Sequence, residues 1–283
     1  GDTMSRPRAR ETTATPETMR LPILRLVLAT VLLAPALGRA ATVHVTSSSN
    51  GALAPRVADG DTATAWASAP GDPAPSLVLD LGETRACGGV ELVWAPGRAA
   101  RDYTLEAADV AGAWRTLHEA QGGTGGVDAI RTAGLRARQF RLRVARAVSR
   151  DGTVALRELR LLPVEVGASA AAFHGHVART SPRGWYPRTL LGEPVDRTAL
   201  GVDRDGADAL FDASGRLEPF AGGWSLEPFV RDRGRLLTWA DADLRPALRV
   251  PGLPIPQTTW TLDSLRLTVT ACAVGVPGKA AAL

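Results

Sequence analysis

From residue 42 to residue 163 the chain alternates apolar and polar side chains with a period near two, in short runs broken by turns. Leu77, Leu79 and Leu81 interleave with Val78 and Asp80, and Tyr103, Leu105 and Ala107 with Thr104 and Glu106. Phe140, Leu142 and Val144 interleave with Arg141, Arg143 and Ala145. Period two sends successive side chains to opposite faces of a strand, so each run has one face for a core and one for water. The turn clusters between runs are Ala95-Pro96-Gly97, Ala111-Gly112, Gly122 to Gly126 and Arg150-Asp151-Gly152. About eight short strands at this spacing predict an antiparallel β-sandwich or jelly roll. No long amphipathic helix is predicted.

Val164 to Phe173 is rich in small residues and reads as a linker. Residues 166–283 then read as a second β-rich region. Strands are expected at Thr198–Val202, Leu226–Val230, Leu236–Trp239 and Leu265–Ala273, with turns at Ser214-Gly215, Arg233-Gly234 and Pro254. The tail from Gly275 to Leu283 reads as weakly structured and as a truncation point, so this second sandwich is expected to be incomplete. The expected fold class is all-β: a sandwich domain at 41–165, then the β-rich region at 166–283.

Residues 1–40 read as a presequence. From Met19, the basic Arg20 and Arg25 precede an apolar stretch from Leu26 to Leu37, and Gly38-Arg39-Ala40 follows with small residues at a cleavage position. That is the pattern of a secretory signal peptide. The apolar run is short for a membrane span, so no stable span is expected after cleavage; an uncleaved anchor is the alternative. The expected location is secreted, periplasmic or cell surface. Export places Cys87 and Cys272 in an oxidising compartment. They are read either as a disulfide or, more simply, as two small buried hydrophobic residues.

The basic balance does not point to nucleic acid. Six arginines against three acids put +3 of the formal +4 within residues 1–40, which leaves about +1 beyond. A nearly neutral body with scattered arginines is not a phosphate-binding stripe.

The sharpest chemical signal is Asp59-Gly60-Asp61-Thr62-Ala63-Thr64-Ala65-Trp66. Carboxylates and hydroxyls crowded on a glycine turn form a hard-oxygen environment that suits Ca²⁺. It is not an EF-hand, because Thr64 and Pro70 stand at the sixth and twelfth loop positions. A plain Asp-Gly turn before a strand is the alternative reading.

Several segments occur in a telling order. They are Ser47-Ser48-Ser49-Asn50, the Asp59 to Trp66 block, Leu79-Asp80-Leu81-Gly82, Val90 to Trp94, Asp102-Tyr103-Thr104-Leu105 with Gly112 to Trp114, Arg138 to Leu142, and Leu156 to Leu161 with Glu158. Together they resemble the F5/8 type C (discoidin) family, which includes galactose-binding-like carbohydrate-binding modules of bacterial glycosidases. The resemblance implies a jelly-roll sandwich with a structural Ca²⁺. Its ligands would be Asp59 by side chain, Asp61 by carbonyl, Thr64 by hydroxyl and carbonyl, and Glu158 by side chain. It also implies a carbohydrate or glycan partner, held on variable loops at one end.

An aromatic face and planar hydrogen-bonding groups would hold a sugar there. The candidates are Asn50, Trp94 with Arg98 and Arg101 after it, and Arg150 beside Asp151. Trp66 and Trp114 fall at core positions of the family, and core is the competing reading for Trp94. Arginines would suit an acidic sugar. Lys279 is the only lysine, however, so arginine is the default base of the whole chain and its presence here selects nothing.

In the second region, Trp185-Tyr186-Pro187-Arg188, Gly223 to Phe229, Leu237 to Asp241 and Pro254-Ile255-Pro256 resemble the N-terminal β-supersandwich of six-hairpin glycosidases. In that architecture an (α/α)₆ catalytic barrel follows, and none lies in this sequence. Among Glu193, Glu218, Glu227, Asp241 and Asp243, no spacing singles out a hydrolytic pair. His174-Gly175-His176 would set two rings on one strand face, without a third metal ligand in view. There is no nucleophile elbow and no phosphate-binding glycine loop.

The expected function is a secreted carbohydrate-binding module, the N-terminal part of a larger carbohydrate-active protein. The alternatives are a fragment of a glycoside hydrolase lacking its catalytic domain, and an adhesion protein gripping a protein or lipid surface.

Overall fold

The computed structural model describes residues 43–109, 112–202, 204, 208–220, 222–263, 265–276 and 281–282. The expected presequence, residues 1–40 with a signal peptide from Met19, lies outside the described residues. Past Ala40 the chain forms a single compact unit.

The first part of that unit carries β1 (His44–Ser47), a 3₁₀ helix at Gly51–Ala58, β2 (Trp66–Ala67), β3 (Ser76–Trp94), β4 (Ala100–Ala108), β5 (Arg115–Ala120), β6 (Val127–Ala147) and β7 (Ala155–Leu162). They form one seven-stranded antiparallel sheet in the order β2-β7-β3-β6-β4-β5, with β1 also on β3. The long strands β3 and β6 pair from Ser76↔Arg143 to Val93↔Val127. Their register shifts between Asp80/Arg85 and again between Cys87/Gly89. Such irregularities bend a strand and increase its twist. Here they fold the sheet over into a sandwich, which brings both ends of the long pair to the same side.

The alternation read from sequence is what fills the sandwich. Leu77, Leu79, Tyr103, Leu105, Phe140 and Leu142 are all buried, alongside Trp66, Leu92 and Leu156. Each fully buried side chain of this size contributes about 1.5–3 kcal/mol. The intervening Arg141 and Arg143 face outward.

The expected linker is not a linker. Residues 164–173 build α1 (Val164–Gly167) and the start of α2 (Ala170–Thr180). Alanine is the best helix former, and the Ser169 side chain caps α2 by accepting from the Ala172 amide at 3.0 Å. Gly167 allows backbone-to-backbone contact with Gly88 of β3, where a Cβ on either would collide with the other strand of backbone. Arg131 Nε donates to the Gly167 carbonyl at 2.9 Å, and Phe173 is buried beside Gly89.

The strand reading of His174 and His176 is corrected by the same helix. Residues two apart on a helix point about 200° apart, so the rings share no face. His174 is exposed, and His176 Nε2 lies 3.1 Å from Oε1 of the buried Glu91.

The second region consists of small antiparallel sheets. They are built from β8 (Arg197–Leu200), β9 (Ala209–Asp212), β10 (Leu217–Glu218), β11 (Val230–Asp232), β12 (Arg235–Leu237), β13 (Asp243–Leu248), β14 (Pro256–Thr261), β15 (Arg266–Thr270), β16 (Ala273–Val274) and β17 (Ala281–Ala282). The orders are β10-β9-β8, β11-β12, β13-β14-β15 and β16-β17. The expected strands at 198–202 and 265–273 fall on β8 and β15. The one at 226–230 reduces to a bridge between Leu226 and Leu217, with a strand beginning only at Val230. The one at 236–239 stops at Leu237, because Thr238 caps a 3₁₀ turn, Trp239–Asp241, through a capping box.

Cys87 and Cys272 are both free, Cys87 in the sandwich core and Cys272 half-buried. No helix among the described residues is long and apolar enough to cross a membrane. The chain is therefore mostly β, as expected, with one helical joint.

Candidate functional site

The Asp59 turn follows directly from the 3₁₀ helix. Asn50 opens that helix in a left-handed conformation, and Asp59 closes it. Gly60 then takes φ of 80°, a value that suits glycine. The turn is held by its own oxygens. Asp59 accepts from the Asp61 amide at 2.9 Å and from the Thr64 hydroxyl at 2.8 Å. The Asp61 carboxylate accepts from the Ala63 amide at 2.8 Å, and its carbonyl accepts from the Thr64 amide and hydroxyl.

Glu158, on β7, joins this turn from a distant part of the sequence. It is 3% exposed, and its Oε1 has no hydrogen-bond partner. Burial pushes its carboxyl up from the ordinary value; the Arg160 charge opposes that rise and the neighbouring Asp59 adds to it. Asp59 is held below its ordinary value, first by the Asp61 amide and then by the Thr64 hydroxyl. The fold thus brings Asp59, Asp61, Thr64 and Glu158 together as an oxygen-only set. An unsatisfied buried carboxylate oxygen is costly unless something partners it. Among the described residues there is no group of three or more His, Cys, Asp or Glu side chains placed to hold a metal. An ion here would therefore have two carboxylates, and neutral oxygens for the rest.

The loops carrying Asn50, Arg98 and Arg150 meet at one end of the sandwich. Asn50 Nδ2 donates to the Ala67 carbonyl at 2.8 Å. Ser68 and Val154 exchange hydrogen bonds, at 2.9 Å from the Ser68 amide and 3.1 Å to its hydroxyl. Ala95 donates to Ala155, Ala155 to Arg98, and Val148 to Ala99. Within the 149–153 turn, Asp151 accepts from the Thr153 hydroxyl and amide. Those bonds hold its carboxyl at about 2, with the Arg98 charge a smaller cause. Asp72 accepts from the hydroxyls of Ser48 and Ser49. The result is a polar surface in which the loops brace one another. Arg98, Arg101 and Arg150 are exposed; Arg101 lies at the start of β4, where its carbonyl accepts from the Gly123 amide of the adjoining loop.

Trp94 does not belong to that surface, which corrects its reading as a sugar platform. It is 2% exposed, its Nε1 donates to Asp128 at 2.8 Å, and Tyr103 shares the same carboxylate oxygen. Its ring presents no face to solvent. Trp66 is fully buried, as its core position implied. Trp114 is only half-buried, with the Arg141 guanidinium 4.2 Å over its ring.

One feature escapes the sequence. On the outward sheet face next to the loop end lies a groove of about 450 Å³, lined by Ser76, Thr104, Arg141 and Arg143 with Pro73 and Ala74 at its rim. Only the cross-strand register reveals it.

The five candidate carboxylates of the second region are engaged locally. Glu193 pairs with Arg183 and Arg188, Glu218 and Glu227 with Arg216, Asp243 with Arg245, and Asp241 serves as a cap.

None of the curated proteins matches the chain. Among solved structures, the chain is similar to chitosan-binding module 1 of a chitosanase/glucanase from Paenibacillus sp. IK-5, at 28% identity over 43% of this chain and 96% of that one, with a TM-score of 0.39. Module 2 of the same enzyme, solved with chitotriose, shows 26% identity over 44% and 98%, also at 0.39. The family 32 CBM from C. perfringens NanJ, solved with galactose, shows 17% identity over 42% and 92%, at 0.38. Residues 41–159, the segment that holds both the Asp59 turn and the braced loop end, match the family model of the F5/8 type C domain.

Proposed function

We propose that residues 41–165 are a carbohydrate-binding module that takes a glycan on the loop-bearing end of the sandwich. The observation that carries this reading is the bracing of the Asn50, Ser68, Arg98 and Arg150 loops into one polar surface, within a segment that matches the F5/8 type C family. Loops fixed in advance lose little conformational freedom on binding, which favours weakly bound, polar ligands such as sugars. Asn50, Arg98, Arg101 and Arg150 are the side chains proposed to contact the sugar.

We also propose that Ca²⁺ sits between the Asp59 turn and Glu158. Support comes from the unpartnered Glu158 oxygen facing a turn made only of oxygen donors. Asp59 and Glu158 would supply charge, Thr64 and the Asp61 carbonyl neutral oxygens, and the ion would pin the loop rather than take part in chemistry.

In the intact protein the module is proposed to be exported and to target a carbohydrate-active partner domain. The second region would then be the start of a supersandwich. Trp185, Phe220, Trp224 and Phe229 of that region are exposed.

A glycan array probed with the full chain in the presence of calcium tests the main reading. Binding to a defined set of glycans is expected. Silence on glycans together with binding to anionic lipid or a protein ligand would replace it with the adhesion reading.

A further inference from the structure

At the loop end the carboxylates are engaged and four arginines are not. Asp72 is taken by Ser48 and Ser49, Asp102 by Arg146 and the Gly122 amide, and Asp151 by Thr153. Farther along the outward face of the same sheet, Arg138 pairs with Asp80 at 2.8 Å and Arg141 with Glu106 at 2.6 Å. Among the described residues, Arg98, Arg101, Arg143 and Arg150 make neither an ion pair nor a side-chain hydrogen bond.

Arg143 is set in a concavity. The register aligns Ser76 of β3 with Arg143 of β6 and Arg143 with Thr104 of β4. Directly opposed residues on one face are neighbours, so a hydroxyl flanks the guanidinium on each side. The groove of about 450 Å³ that these residues line falls within the size of ligand pockets. It is also continuous with the loop end: Ser76 accepts from the Ser48 amide at 3.0 Å and donates its own amide to Ser48 Oγ at 3.0 Å, and Val144 donates to the Pro75 carbonyl at 2.9 Å. A guanidinium fork flanked by two hydroxyl donors matches the planar pair of oxygens of a carboxylate.

We infer that the glycan carries uronic acid, with Arg143 receiving a uronate carboxylate in this groove while the chain of sugars extends onto the loop end. This rests on the carbohydrate-binding reading and names the class of sugar. It assigns Arg143 the selection of charge, and leaves the neutral sugar contacts to the loops.

Calorimetric titration of the full chain with trigalacturonate and with galactotriose separates these roles. Trigalacturonate is expected to bind at least about tenfold more tightly. Arg143→Ala should erase that preference, keep the galactotriose affinity and leave the melting temperature unchanged, since the side chain is exposed. Arg136→Ala removes the same charge from the middle of β6, seven residues from Arg143, and should leave both affinities within about twofold. Equal affinity for the two sugars, or an equal loss in Arg136→Ala, overturns the Arg143 assignment while the module reading stands. Absence of binding to every glycan, acidic or neutral, overturns the module reading itself.

Discussion

Asp80 sits where β3 and β6 bend, accepting from Arg138 at 2.8 Å, from Gln139 at 2.7 Å and from the Gly82 amide at 2.8 Å. Arg138 above all, then the Gly82 amide and Gln139, hold its carboxyl at about 2. A carboxyl depressed in the folded state stabilises the fold above its unfolded value, about 3.9, and that contribution is lost as the pH falls through about 2. Asp80→Asn should therefore cost about 1 kcal/mol at neutral pH and flatten stability against pH between roughly 4 and 2. Denaturant melts across that range check it; parallel curves for variant and parent would contradict it. Legibility at this scale is uneven for a physical reason. Asp59, Asp61 and Thr64 could be read because the turn is local and Gly60 marks it. Glu158 came only through the order of family segments, since nothing local ties it to the turn. Trp94 misled because tryptophan suits both a sugar platform and a core, and the deciding fact, its bond to Asp128, depends on strand pairing.

At the scale of elements, the joint at Gly88, Gly167 and Phe173 is where the chain departs most from its reading. An alanine-rich stretch looks like a tether when only small residues are counted. The helix signals were nonetheless present: Ser169 at the cap position, then Phe173 and Val177 four residues apart. What no sequence pattern could supply is the backbone contact between Gly88 and Gly167 that docks α1 onto β3. Gly88→Ala sets a methyl against the Pro163 carbonyl and the Gly167 amide, both rigid backbone. It should cost about 1–3 kcal/mol. Hydrogen exchange should quicken in 164–180 while the amides of β4 and β6 stay slow. Unchanged exchange in α1 and α2 would show that the contact does not hold the joint. By contrast, the strands of the sandwich were legible almost throughout, because period two survives in β3, β4 and β6. In the second region the strands run two to six residues, and such short strands offer too little periodicity to fix their ends.

For the whole molecule, the proposed ion and the proposed ligand act at different places and can be tested apart. A calcium ion bound only to the folded state adds stability through linkage. Removing it with EDTA should lower the melting temperature by roughly 5–10 °C, and excess Ca²⁺ should restore it. Glu158→Gln should melt lower and ignore EDTA. A melting temperature indifferent to EDTA in the parent would remove the ion and leave the Glu158 oxygen as an uncompensated cost. The composition spoke at this scale only by exclusion, setting aside a phosphate-binding surface through the near-neutral charge beyond residue 40. Glycan binding at the loop end is tested most directly by hydrogen exchange of the full chain with and without a glycan that binds it. Protection confined to 48–50, 67–76, 95–104, 141–145 and 148–153 is the expected result, and protection centred instead on the second region would contradict it.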